Sequence, residues 1–521
     1  SFIILILMIN IRLNLIIPFL LLICLFINCK SNNQNSEKKP NIIIIYTDDL
    51  GYGDVSAYEK GTLNTPNIDK LANEGIRFTN GYSSSATCSP SRYALLTGIY
   101  PWRNAEAKII TGGSLIIDTN EVTIPKLLKQ NGYQTAIVGK WHLGLGLNKI
   151  DYNSTISPGP NELGFNYTYI MPDTQDRVPT VYVENGKVIN LDPKDPIEVD
   201  FKTNFQDQPT GKDNPELLKM KWHHGHNGSI VNGIPRIGFM KGGESAKWSD
   251  VDMADHFLEK AKSYIKKNKD NSFFLFYALQ QPHVPRTPHP RFEGMSGMGP
   301  RGDAIIEADW CVGELYKTLE LEGIIDNTLI IFSSDNGPVL NDGYYDDAAE
   351  KIGDHKPSGG LRGGKYSLFE AGTRVPFISY WKNRIKPAIS DKIISQVDIL
   401  SSIAKIIGSE YRSKDGNDLS GLILDNLGAG RNELILEATS RTAYRNGDWV
   451  MIPPYKGNEI SKNVNIELGN SKNYKLFNLK DDPSQKINLS NKNSKKLEEM
   501  IANFKRIRGE NYSNSKDLIL E

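Results

Sequence analysis

Cysteine is scarce in this chain. There are four in 521 residues, Cys24, Cys29, Cys88 and Cys311. No two form a CxxC pair, which argues against a structural zinc site. Nor is either sign of charge in excess. Lys and Arg total 61 and Asp and Glu total 61, so no basic surplus exists to neutralise phosphates, and the composition argues against a dedicated nucleic-acid binder. A local positive pocket stays possible. No internal repeat stands out. What is present is an ordinary globular composition in a chain too long for one small domain.

The N-terminal stretch from Met8, "MINIRLNLIIPFLLLICLFINCKSNNQNSEKKP", has a short arm with Arg12, an apolar run, then Cys29 and a polar tail. The pattern predicts a signal peptide over 1–29 and an exported protein. "LFINC" before Lys30 resembles a bacterial lipobox, which implies lipidation at Cys29 and attachment to a membrane by that lipid alone. An ordinary secretory signal or a retained anchor are the alternatives. Residues 30–40 read as a flexible tether.

Beyond the tether, short buried runs such as "NIIIIYT" alternate with amphipathic helical patterns. That alternation predicts an α/β fold, a large, mostly parallel sheet with helices on both faces. This catalytic domain is placed over 41–424. Its segment 155–247, rich in Pro, Gly and Asn, reads as a long irregular insertion. Residues 425–521 alternate more and lack crossover helices, so a smaller antiparallel sheet with a charged terminal helix is expected there. Cys311 sits in "AIIEADWCVGELYKTL" and reads as a small apolar core residue.

Four predicted strands end in polar groups: Asp48 and Asp49; Lys140 and His142; His283; Asp335 and Asn336. In open α/β sheets ligands bind beyond the carboxyl ends of the strands, so these residues should meet on one edge. The acids and Asn336 offer only oxygen ligands, which suits Ca²⁺ or Mg²⁺ rather than zinc, with Ca²⁺ better matched to an all-protein shell. Lys140, His142, His283 and Lys365 add positive charge and proton-transfer capacity, the makings of an anion site. Alone, "DNG" is a turn and His283 a loop residue; together they gain meaning. Cys88, in "CSPSR", reads as a thiol where a loop enters a helix. There the helix N-terminus would lower its pKa or hold an anion. The bland alternative is a bystander surface thiol.

"CSPSRYALLTG" resembles the C-x-P-x-R signature of formylglycine-dependent type I sulfatases, of the alkaline-phosphatase-like superfamily. "IIYTDDLGYGDVSAY", "TPNIDKLANEG", "GYQTAIVGKWHLG", "QQPHVP", "FSSDNG" and "LRGGKYSLFEAGTRVP" resemble further sulfatase blocks in the family's order. The resemblance implies that Cys88 is oxidised to formylglycine by a formylglycine-generating enzyme, which reads Pro90 and Arg92. It implies one Ca²⁺ on Asp48, Asp49, Asp335, Asn336 and position 88. Arg92 would steady the hydrated aldehyde, Lys140 and Lys365 would bind sulfate, and His142 and His283 would move protons. One hydroxyl of the hydrated aldehyde would attack sulfur, and the second would let sulfate depart.

The expected substrate is a sulfated polysaccharide or oligosaccharide. Algal glycans such as ulvan are favoured, with glycosaminoglycans and mucins among the alternatives. His223, His224 and His226 ("HHGH") read as a loop with chance histidines or as a rim that reads sugar. Trp102, Arg103 and Trp222 are further candidates for sugar contact. Rival functions are a formylglycine-dependent phosphoester or phosphonate hydrolase, a silent glycan-binding lipoprotein, and a hydrolase that uses Cys88 as a free thiol.

Overall fold

The computed structural model describes residues 39–61 and 63–512. The signal peptide, Cys24, Cys29 and most of the tether lie outside the described residues. Asn41–Thr47 (β1) is buried along its whole length, and its side chains alternate between two cores. Ile42, Ile44 and Tyr46 point into one; Ile43 and Ile45 point into the other. A strand covered on both faces reads as a continuous apolar run for this reason.

β1 lies in a ten-stranded sheet. In chain order its other strands are Ile76–Tyr82 (β2), Gln134–Lys140 (β3), Tyr167–Met171 (β4), Val183–Glu184 (β5), Lys187–Val188 (β6), Phe273–Ala278 (β7), Thr328–Ser334 (β8), Phe377–Tyr380 (β9) and Ala388–Ser395 (β10). The spatial order is β10-β2-β9-β8-β1-β7-β3-β4-β5-β6. The run β8-β1-β7-β3-β4 is parallel throughout. The β8–β9, β9–β2, β4–β5 and β5–β6 pairs are antiparallel.

Helices cover both faces. Cys88–Thr97 (α2), Ile124–Gln130 (α3) and Ile399–Ile406 (α6) share the core of Ile42 and Ile44. Pro66–Glu74 (α1), Met253–Asn268 (α4) and Gly299–Leu321 (α5) share that of Ile43 and Ile45. Cys311 is a fully buried member of the second core, as its sequence context predicts. α1 starts at Pro66, a residue suited to a helix's first turn, and stops before Gly75.

Segment 155–247 holds more order than its composition suggests. β4 lies within it and extends the parallel run of the main sheet. The rest consists of strands of two or three residues, two single-turn 3-10 helices (Pro215–Leu217 and Glu244–Ala246), turns and irregular chain. After the helix Ser420–Asp425, Glu433–Ala438, Arg441–Asn446, Trp449–Ile452 and Lys475–Asn478 form an antiparallel sheet. The terminal helix Ser494–Arg508 packs on it through Met500 and Phe504.

Candidate active site

Register sets the site. Thr47 of β1 pairs with Ser334 of β8, so Asp48 and Asp335 leave adjacent strands at the same level. The neighbouring tips of β7 and β3 bring the loop of His283 and the residues Lys140 and His142. The four strands that bear the polar groups thus lie side by side in the sheet. Asp48 N donates to Gln281 O at 3.0 Å, which ties the His283 loop to β1.

Cys88 opens α2, and Arg92 lies one turn on, on the same face of the helix. Arg92 is fully buried. Its Nε and Nη2 donate to Asp335 Oδ2 at 3.0 and 2.8 Å, and its Nη1 donates to Lys140 O at 3.2 Å. Lys140 Nζ donates to Asp48 Oδ2 at 2.5 Å. The Cys88 thiol lies 3.6 Å from Asp48 Oδ1. Asn336 Nδ2 donates to Asp49 Oδ1 at 2.7 Å, and the Asn336 Oδ1 is buried without a partner. Lys365 bridges Asp49 Oδ2 at 2.9 Å and Asp342 Oδ2 at 2.7 Å. Its loop is pinned by the Lys365 N bond to Pro338 O and the Tyr366 N bond to Ala86 O.

The two histidines have defined hydrogen-bonding edges. His283 Nδ1 meets Val284 O at 2.7 Å, which makes Nδ1 the protonated nitrogen and leaves Nε2 3.9 Å from Asp49 Oδ2. His142 Nε2 meets Ile110 O at 3.0 Å, and its Nδ1 is buried with no partner. Burial holds both rings well below the ordinary imidazole range, helped first by Lys140 at His142 and by Lys365 at His283.

The thiol departs from its expected behaviour. Cys88 is 2% exposed rather than a surface group. Burial, then the nearby Asp335, pushes its pKa well above the usual thiol range. These outweigh the nearby Lys140 and Lys365. A thiol held protonated is a poor nucleophile, which weighs against the free-thiol hydrolase.

Sequence reasoning missed a second layer. Asp176, Arg177 and Asp342 come from loops with no motif of their own. Arg177 Nη1 donates to Asp176 Oδ1 at 2.9 Å, and Arg177 lies close enough to Cys88 to interact electrostatically. "HHGH" is part of this layer. His226 bonds Asp176, and His223 N donates to Gly343 O beside Asp342. Tyr345, 61% exposed, packs on His223 with ring centroids 4.9 Å apart. Trp222 reaches the same loop through a bridge to Tyr344. Trp102 instead packs on Tyr100 and Arg508 beside the C-terminal sheet, and Arg103 pairs with Asp415.

The family model for sulfatases matches residues 40–409. The chain belongs to the sulfatase family. It is a sulfuric ester hydrolase. This sulfatase is 46% identical over 496 residues to the N-acetylgalactosamine-6-O-sulfatase of Bacteroides thetaiotaomicron, covering 93% of this chain and 97% of the relative. It is 31% identical to human arylsulfatase A over 391 residues, covering 74% and 68% of the two chains. Among solved structures, a sulfatase from work on glycosaminoglycan metabolism in Bacteroides thetaiotaomicron superposes with a TM-score of 0.89 at 45% identity, covering 91% of this sulfatase and 100% of that chain. The PsFucS1 sulfatase of Pseudoalteromonas gives 0.66 at 25% identity, covering 94% of each.

Proposed function

We propose that this sulfatase hydrolyses the 6-sulfate of an N-acetylated galactosamine in a sulfated glycan, using formylglycine made from Cys88 and a calcium ion. The observation that carries the substrate is the 46% identity, over nearly the full length, to an enzyme of that specificity. This reading replaces the algal substrate expected from composition and targeting. The exposed Tyr345 and the half-buried His223 that it packs on supply an aromatic and polar rim of the kind that holds sugar rings.

The donor chemistry fits a hard cation. Asp48, Asp49 and Asp335 supply carboxylate oxygens, and the orphaned Asn336 Oδ1 is an amide oxygen that needs a partner. Ligand atoms of Asp48, Asp49, Cys88 and His283 lie within 4.8 Å of one another. Sulfur is the soft donor in that set, and conversion of Cys88 to its aldehyde would present oxygen there instead. Four buried acids (Asp48, Asp49, Asp335, Asp342) face three buried cations (Arg92, Lys140, Lys365), one negative charge in balance. A divalent ion would turn that into one positive charge, which complements a singly charged sulfate ester.

Calcium would act as a Lewis acid at oxygens brought to it, and formylglycine would act as a hydrated-aldehyde nucleophile. The chain's own residues do the rest. Arg92 fixes Asp335 and the start of α2. Lys140 and Lys365 present ammonium groups to sulfate oxygens. His142 offers its unpartnered Nδ1 as a base. His283 presents Nε2 to the leaving sugar oxygen, and an arriving sulfate favours its protonated form. Because Cys88, Pro90 and Arg92 are buried, a formylglycine-generating enzyme would read them before the chain folds. Export with a lipid on Cys29 completes this reading, and release of a Cys29→Ala variant from membranes tests it.

The test of function is sulfate release from N-acetylgalactosamine 6-sulfate, its 4-sulfate, sulfated ulvan oligosaccharides and an aryl phosphate. Turnover of the 6-sulfate above the others is expected. Preference for the 4-sulfate or for ulvan would overturn the substrate, and preference for phosphate would favour the phosphoester hydrolase.

A further inference from the structure

His226 takes no part in the chemistry above, yet it is buried and closely held. Both ring nitrogens face acceptors. Nε2 lies 2.8 Å from Asp176 Oδ2, and Nδ1 lies 2.7 Å from the backbone carbonyl of His224. An ionised carboxylate and a peptide carbonyl only accept, so both contacts are hydrogen bonds when the ring carries a proton on each nitrogen. His142 and His283 differ, since each places one nitrogen on a carbonyl and leaves the other without a hydrogen bond.

The ring has little freedom to turn. Tyr344 packs on it with centroids 4.6 Å apart. On the same loop Gly343, at φ +104°, lies so close that a Cβ there would come within 1.8 Å of Nδ1. The charged and titratable groups around the ring come from several elements. Asp176 and Arg177 lie on one loop; Asp342, which attracts His224, and Tyr344 lie on another. His223 and His224 are on its own segment, and Arg236 and Asp250 lie beyond Tyr344. Asp176 also interacts with His283, and Arg177 with Cys88 and Tyr366.

We propose that His226 is a positioning residue, held as an imidazolium between Asp176 and the His224 carbonyl, which fixes the Asp176–Arg177 pair beside Cys88 and His283 where the sulfated sugar binds. A neutral ring would give up one of its two bonds, and where that is the bond to Asp176, the carboxylate would keep only Thr174 and Arg177, both on Oδ1. The positioning part rests on the sugar-sulfatase reading above; the protonation part does not.

The test compares wild type, His226→Ala and His226→Gln on N-acetylgalactosamine 6-sulfate and on 4-nitrophenyl sulfate, which carries no sugar. Gln keeps a donor for Asp176. His226→Ala should raise KM for the sugar about tenfold or more with kcat within about threefold, leave KM for the aryl ester within about threefold, and be largely rescued by Gln. Equal loss on both substrates, or no loss on either, overturns the assignment. Nitrogen-15 spectra of the histidine rings at neutral pH provide a readout independent of turnover. A ring with two protonated nitrogens should be present in wild type and absent in His226→Gln, and a neutral ring for His226 overturns the proposal. Failure of the substrate reading would appear differently, as wild-type activity on the aryl ester without activity on the sugar; the ring spectrum then decides the assignment of His226.

Discussion

Asn336 gives its side-chain amide to Asp49 at 2.7 Å and keeps its own carbonyl oxygen buried and unpartnered. A buried polar oxygen in that state costs stability unless something binds it. Asn336→Ala should therefore lower affinity for calcium and reduce turnover. Chelation of the wild type should depress activity, and Ca²⁺ should restore it best. Restoration by Zn²⁺ alone would contradict the oxygen-donor assignment.

Among the described residues, the Cys88 side chain is held only by its contact with Asp48. Cys88→Ala should abolish sulfate release while circular dichroism and the thermal midpoint stay close to wild type. Retained turnover in that variant would remove position 88 from the chemistry.

Lys365 spans Asp49 and Asp342, so its loss affects charge at the site as well as contact with sulfate. Lys365→Ala should cut kcat/KM by about 10²-fold or more, and unpairing two buried acids should cost roughly 3 kcal/mol of stability. Denaturant titration and steady-state kinetics measure the two effects. Unchanged kcat/KM would rule out a role in binding sulfate.

Glu437 sits buried on the C-terminal sheet with Oε2 unpartnered, and burial pushes its pKa up to about 8. Its folded pKa is thus above its unfolded value, so the folded state holds the proton that the unfolded state has released. Stability from this group is full below the unfolded carboxylate range. It declines as pH rises, by about 1.4 kcal/mol per unit, until the folded pKa is passed. Glu437→Gln should flatten that decline between roughly pH 5 and 8. An equally steep slope in the variant would show that the carboxyl is not held protonated.

Much of this was legible in the sequence because it is local. β1 is covered on both faces, so its sequence is one apolar run, and the strand tips carry Asp48, Asp335, Lys140 and their neighbours in short contiguous blocks. β4 was not legible, since its five residues lie amid Pro, Gly and Asn and owe their order to pairing with β3. Asp176, Arg177 and Asp342 were hidden for a related reason, and His226 was visible only as one of the "HHGH" histidines, without its partner. They come from separate loops, and only the tertiary fold makes them neighbours. The Cys88 thiol shows a third kind of miss. Its helix N-terminus is visible in the sequence, whereas the burial and the acids that push its pKa up come with the packing of β1 and β8.

The account turns on what stands at position 88 in the active enzyme, and the mass of the tryptic peptide Phe78–Arg92 reads it directly. Protein made beside a formylglycine-generating enzyme should yield this peptide with H₂S lost and one oxygen gained at Cys88. An unmodified thiol peptide from fully active enzyme would contradict the account.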